Sequence, residues 1–192
     1  MANSLAKGIR VCTIAPVMAA VMLVLLRAFR FSVLGTNADF ILALLFLTVL
    51  PVLAYPLQPV IPHYREKGRS GQRELAIVFA VAGYLLGCLC CAVRRASAGL
   101  WAIYLEYLLS GVCILFCAKV LHQKPSGHAC GVAGPLALLQ YFGIPAWGPG
   151  IFLLLAVLWA SVRIKRHTWQ QFAAGAAIPV AVLGVLFLVL PR

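Results

Sequence analysis

A chain of 192 residues that is 64% hydrophobic and only 10% charged, with mean hydropathy +1.00, has too little polar surface to face water, since a soluble domain of this size carries about 25% charged residues. The net charge is +12, from 16 Lys+Arg against 4 Asp+Glu, and the bases gather at the ends of apolar runs, as in membrane-flanking loops rather than nucleic-acid surfaces. This excludes a soluble globular domain and a nucleic-acid partner, and it leaves lipid as the main solvent, with anionic headgroups or an anionic substrate as partners.

Spanning a bilayer as a helix takes roughly 20 apolar residues. The first apolar run, Val11 to Leu26, follows Lys7 and Arg10 and is closed by Arg27 and Arg30. No small-x-small cleavage site follows it, so it reads as a retained helix. The second, Phe40 to Ile61, carries Pro51, Pro56 and Pro59 and is expected to bend or fray at its end. His63 to Glu74 is the longest polar segment, with four Lys/Arg and two Glu. The third run is Leu75 to Val93, closed by Arg94 and Arg95, and the fourth is Leu100 to Val120. The fifth, about Ala129 to Phe142, ends in the turn Gly143–Pro149. The sixth is Ile151 to Val162 and the seventh Phe172 to Leu190. No run alternates with period two, so a membrane β-barrel is not expected. The reading is an all-α polytopic transmembrane bundle of six or seven spanning helices. It forms a single integral membrane domain over residues 1–192, with N-terminal helices at 11–61 and a core at about 75–190.

Alternation across seven runs puts the N-terminus, loop 62–74, segment 119–128 and segment 163–168 on one face. Loop 27–38, Arg94 and Arg95, the turn 143–149 and the C-terminus fall on the other. The bases are nearly balanced. Lys7, Arg10, Arg65, Lys67, Arg69 and Arg73 stand against Arg27, Arg30, Arg94, Arg95 and Arg192. The dense loop 62–74 tips the first face toward the cytoplasm, in a prokaryotic plasma membrane.

Two polar clusters sit on that first face. In Lys124-Pro-Ser-Gly-His128, Pro125 suits a turn or first helical position. Ser126 is a natural N-cap for the fifth helix, and Gly127 bares the backbone where a ligand can approach. First-turn amides and the helix dipole favour an anion. Lys124 adds a full charge, and His128 is placed to give a proton to a leaving oxygen. An ordinary helix start with a solvated Lys and a surface His explains the same residues. In the second cluster, Arg163, His167 and Gln171 follow i, i+4, i+8 and form one stripe if the helix is continuous. Gln171 would then fix the imidazole tautomer, and Arg163 would grip phosphate oxygens. The plainer alternative is a basic membrane-edge loop anchored by Trp169.

The two clusters together resemble the type-2 phosphatidic acid phosphatase superfamily, an α-helical family of lipid phosphatases, acid phosphatases and haloperoxidases. Its pattern has three blocks: Lys-x6-Arg-Pro, Pro-Ser-Gly-His, and Ser-Arg-x5-His-x3-Asp. Pro125 to His128 match the second block in full, and His167 stands where the third has its nucleophilic histidine. Ala173 to Gly175 resemble the small-residue continuation, and the likeness covers residues 119 to about 175. The chain departs at three places. Gln171 replaces the acid, as it does in the branches that act on dolichyl diphosphate and glucose 6-phosphate. Ser161 stands where the arginine is expected, so Arg163 or Arg166 would substitute. The first block is shortened to Lys119-x4-Lys124-Pro125.

The resemblance implies hydrolysis of a lipid phosphate or an isoprenoid phosphate through a phosphohistidine on His167. His128 would serve as acid and then base, and Gln171 would orient the nucleophile. Lys124, Lys119, Arg163, Arg166 and the backbone at Ser126 and Gly127 would hold the phosphate. It implies no metal and no cofactor, and four scattered acids suit no two-metal site. A non-catalytic lipid-phosphate binder or scaffold of the same fold is the alternative that Gln171 and Ser161 motivate. A small transporter or channel ranks last, since no inverted halves are evident.

Glu106 lies in the middle of the fourth run, where a charge is expensive. It is either a polar handle inside the bundle or a residue near the interface. His63 and His122 read as solvated. The seven cysteines read as small helix-packing residues, because no zinc-type spacing is present.

Overall fold

The computed structural model describes residues 2–190, and they are mostly helical, with no strand among them. Arg192, counted above on the second face, lies outside the described residues. In chain order the helices are α1 (Ala2–Cys12), α2 (Ala15–Phe29), the single turn α3 (Phe31–Leu34) and α4 (Asn37–Leu57). Then come α5 (Pro62–Glu66), α6 (Gly68–Arg94), α7 (Ala98–Lys119), α8 (Gly127–Tyr141), α9 (Trp147–Arg163) and α10 (Trp169–Val189).

Each of the seven apolar runs is helical, but not all are long enough to cross a bilayer. Four are: α4, α6, α7 and α10. The bent pair α1 and α2 makes a fifth if counted as one span. Helix α9, at 17 residues, and α8, at 15, are shorter.

The first run differs from its reading as one helix. It breaks at Thr13 and Ile14, and the axes of α1 and α2 meet at 52°. Pro16 has no N–H to continue the ladder of α1, and its ring clashes with a preceding helical turn. Thr13 closes α1 with its N–H and its hydroxyl both bonded to the Ile9 carbonyl, at 3.1 and 2.8 Å.

The second run continues as one helix through Pro51 and Pro56. It contains one π turn, Leu45–Val49, that ends two residues before Pro51. The wider turn relieves the clash between the proline ring and the carbonyl four residues back. The helix does fray after Leu57, ahead of Pro62. Much of the polar segment 62–74 is itself helical, in α5 and the first turns of α6, with Gly68 at φ +54° at the junction.

Buried side chains of α2, α7, α8 and α10 form the core, including Met22, Tyr104, Leu138 and Leu183. Large apolar residues on the outer faces stay exposed, among them Leu85, Phe152 and Leu188, as lipid-facing positions require. At one end of the bundle Arg30 Nε donates to the Phe142 carbonyl at 3.1 Å, and Arg94 pairs with Asp39 at 2.7 Å. Segments 27–38, 94–97 and 142–143 thus meet there, as alternation of the runs predicts. The other end gathers Arg10, Arg73, Lys124, His128 and His167 around one cavity.

Helices α8 and α10 pack so closely at that end that Gly175 has no room for a side chain. A Cβ there would stand 2.2 Å from the Ser126 carbonyl oxygen. Both groups are backbone, so the helix start must move. Gly175→Ala is expected to destabilise the protein by roughly 1–3 kcal/mol and lower its Tm in detergent. Gly184→Ala on the same helix, where nothing lies within 4 Å, should leave Tm unchanged or slightly raised.

Candidate functional site

Ser126 caps α8 as its sequence suggests. It is fully buried, and its Oγ accepts from the Ala129 N–H at 3.2 Å. The Ser126 N–H donates to the Gln171 carbonyl at 2.8 Å. The N–H of Ser126 is thus used within the fold, and Ser126 is not among the residues that line the cavity described below. Its role is to tie the start of α8 to the start of α10. The first-turn amides of Gly127 and His128 have no intrahelical acceptor. A Cβ on Gly127 would meet nothing within 4 Å, so its backbone borders open space.

His167 and Gln171 are not on one continuous helix with Arg163. Helix α9 ends at Arg163, residues 164–168 form a turn with Lys165 at φ +54°, and Thr168 caps α10. Thr168 and Gln171 make a reciprocal capping box, with Gln171 N–H to Thr168 Oγ1 at 3.3 Å and Thr168 N–H to Gln171 Oε1 at 3.2 Å. His167 Nδ1 lies 3.2 Å from the same Oε1. The backbone donor fixes that atom as the amide oxygen, an acceptor. Nδ1 must then carry the hydrogen and donate, leaving Nε2 with a free lone pair. Gln171 reaches His167 from a helix cap rather than along a helical stripe.

His128 is oriented from the other side. Its Nε2 lies 3.0 Å from Thr13 Oγ1, and that hydroxyl donates to Ile9. Thr13 therefore accepts, Nε2 carries the hydrogen, and Nδ1 is the nitrogen available for proton transfer. Both imidazoles line one cavity of about 510 Å³, together with Arg10, Arg73, Lys124 and Tyr55.

The remaining expected grip residues divide. Lys124 lines the cavity, whereas Lys119 and Arg163 are exposed and outside its lining. Lys119 is the last residue of α7, so its side chain leaves from the helix end. Arg163 ends α9, before the turn that brings His167 round. Arg166 is exposed, but its charge is near enough to lower the proton affinity of His167.

Two cations were not singled out from sequence. Arg10 Nη1 donates to Ser161 Oγ at 2.6 Å, and Ser161 is fully buried and itself donates to the Val157 carbonyl at 2.7 Å. The guanidinium of α1 thus sits against Ser161 of α9. Arg73 comes from the polar stretch that opens α6. The hint was available in charge placement alone, since both belong to segments predicted for the same face.

The electrostatics follow from gathering bases without acids. Burial first, and then the Arg10 charge and the neighbouring His167, push His128 down to about 4. Burial also lowers His167; its bond to Gln171 opposes this, while Arg10, Arg73 and Arg166 add to the lowering. Both rings are therefore neutral at pH 7, in a cavity with three cationic side chains and no anion of its own. His63 and His122 are exposed, as expected. Glu106 is 2% exposed and accepts from Ser110 Oγ at 3.0 Å, so it is a polar handle inside the bundle. The cysteines are all free.

No family model, curated protein or solved structure matches this chain.

Both imidazoles hold protons less readily in the folded protein than at their ordinary value of 6.5. As pH falls below about 6.5 the unfolded chain takes up protons first, so stability is full above that pH and declines toward 4. Thermal unfolding in detergent should show a Tm that is flat above pH 7 and drops between about 6.5 and 4. His128→Gln should remove part of that drop. Inorganic phosphate, which supplies the missing negative charge, should reduce it in the unmutated protein.

Proposed function

We propose that this protein is an integral membrane phosphatase that hydrolyses a lipid phosphate through a phosphohistidine on His167. The reading draws on the likeness of Pro125–His128 and His167 to the type-2 phosphatidic acid phosphatases. The observation that carries it is the shared cavity of two neutral, oppositely oriented imidazoles with Arg10, Arg73 and Lys124 around them. A bundle of six or seven spans, with its core at about 75–190, belongs to the same reading.

In the first step His167 Nε2 attacks phosphorus, the P–O bond to the lipid breaks, and the departing alkoxide takes a proton from His128. In the second, water attacks phosphorus, its proton passes to His128, and the P–N bond breaks to release phosphate. His128 must be protonated for the first step. A phosphate in the cavity raises its proton affinity, since an opposite charge nearby favours the imidazolium. Arg10, Lys124 and the amides of Gly127 and His128 stabilise charge on the equatorial oxygens. His167 is lost as a nucleophile if protonated; burial first, and then the surrounding arginines, favour its neutral form. The scheme needs no metal.

Binding of a lipid phosphate without hydrolysis is the second reading. It is favoured by Gln171, whose neutral carbonyl orients His167 but stabilises an imidazolium less than a carboxylate does. One assay separates the two: release of labelled phosphate from lipid phosphates by purified protein in detergent. His167→Ala should abolish release, His128→Ala should reduce it about 10²- to 10⁴-fold, and Arg10→Ala about 10²- to 10³-fold. Vanadate should inhibit. Equal release by the protein and all three variants would reject catalysis at this site, and no release with retained binding would favour the second reading.

A further inference from the structure

Helix α1 is attached more loosely than α8, which it helps to complete the site with. Of its eleven residues only Ala6 is buried, against ten of fifteen in α8. It packs mainly on α9, while Leu5 and Val11 stay exposed at 60% and 67%. Sparse burial of this kind marks segments that open at low free-energy cost. Helix α2 is held differently. Its first residue, Ala15, lies so close to α8 that a Cβ on Gly131 would stand 2.5 Å from the Ala15 Cβ. A loosely held helix therefore meets a firmly held one at the 52° break.

The loose helix brings two groups to the site. Arg10 follows Ala6 by one turn, on the same stripe, and donates to Ser161 of α9. Thr13 is bonded to Ile9 through both its N–H and its hydroxyl, so it moves with the end of α1, and its Oγ1 holds His128 Nε2. The docked position of Arg10 is electrostatically crowded. Its guanidinium is half-buried and feels the charges of Arg166 and Arg73. The cavity it lines also holds Lys124, with no carboxylate in the lining. Repulsion among like charges is offset when an anion sits between them.

Building on the reading of the cavity as a phosphate site, we infer that α1 is a strap whose docking onto α9 is coupled to anion binding. Docked, it delivers Arg10 to the cavity and Thr13 to His128 in one movement; released, it withdraws both. Phosphate binds the docked form more tightly, because only that form presents Arg10, and it thereby shifts α1 toward α9. The coupling is reciprocal: the factor by which docking raises phosphate affinity is the factor by which phosphate raises docking. For one hydrogen bond between charged groups that factor is about ten- to a hundredfold. The site is thus assembled by the anion it binds, and Thr13 is a positioning residue that reports the strap's position to His128.

The test uses Ala6→Cys, whose thiol is covered when α1 is docked, and Leu5→Cys on the exposed side as its control. Each purified protein in detergent is treated with a maleimide, with and without inorganic phosphate at a concentration that saturates its Tm shift. Modification at position 5 or 6 is followed by peptide mass spectrometry. Position 6 should react more slowly than position 5, and phosphate should slow it by a further factor of about ten to a hundred. Position 5 should not respond to phosphate. Adding Arg10→Gln to Ala6→Cys should weaken phosphate binding by the same factor and, at saturating phosphate, leave the rate at position 6 unchanged. Tryptic cleavage after Lys7 in the unmutated protein, which needs α1 released, is a second readout that requires no substitution and should slow likewise. If phosphate raises Tm but alters neither the rate at position 6 nor cleavage after Lys7, the strap is overturned and the phosphate site stands. Protection that survives Arg10→Gln overturns the coupling as well. Absence of any Tm shift with phosphate removes the strap and the phosphate site together.

Discussion

A single backbone hydrogen bond, Ser126 N–H to the Gln171 carbonyl at 2.8 Å, ties the two halves of the site together. Each partner is part of a helix cap, and each cap carries one histidine beside it. Ser126 caps α8 and is followed by His128; Thr168 and Gln171 cap α10 and are preceded by His167. A cap is a rigid local structure, because its side chain and backbone satisfy each other's orphan groups. Joining two caps therefore fixes two imidazoles that are 39 residues apart in the chain. Gly175 permits the close approach, and its missing side chain is as much a part of the site as the histidines.

The second constraint is electrostatic. The chain has 4 acids against 16 bases, and the cavity collects bases from α1, α6 and the 119–128 segment without a carboxylate among its lining. Such a cluster opposes itself unless an anion joins it. Burial, and after it the neighbouring bases, keep both imidazoles neutral. In the reaction proposed above, an arriving phosphate would reverse this at His128, and the substrate would help create the acid that its own leaving group needs. Such a site leaves the protein alone less stable than it could be.

Much of this could be read from the sequence, and for physical reasons. Apolar runs bounded by bases gave the seven apolar helical segments, and counting them placed Arg10, Arg73, Lys124, His128 and His167 at one end. Ser126 as an N-cap and Gln171 as the partner of His167 follow from local chemistry, which a single sequence carries. What could not be read is non-local. Arg10 reaches Ser161 across 151 positions, and no pattern within either segment indicates it. The stripe through Arg163, His167 and Gln171 depended on helix continuity, and the helix stops at Arg163. Span number is not fixed by run length alone, which does not separate α8 and α9 from the helices long enough to cross. The break at Thr13 was signalled by Pro16, which the first run's hydrophobicity outweighed.

The account depends most on His167 Nε2 being a nucleophile rather than one more polar contact. Rapid acid-free quenching of the protein with lipid phosphate labelled in its phosphoryl group tests this directly, followed by mapping of the labelled peptide. The account predicts an acid-labile, base-stable phosphoramidate on His167 that forms and decays within turnover. Turnover without any label on His167, or label on His128 instead, would contradict it.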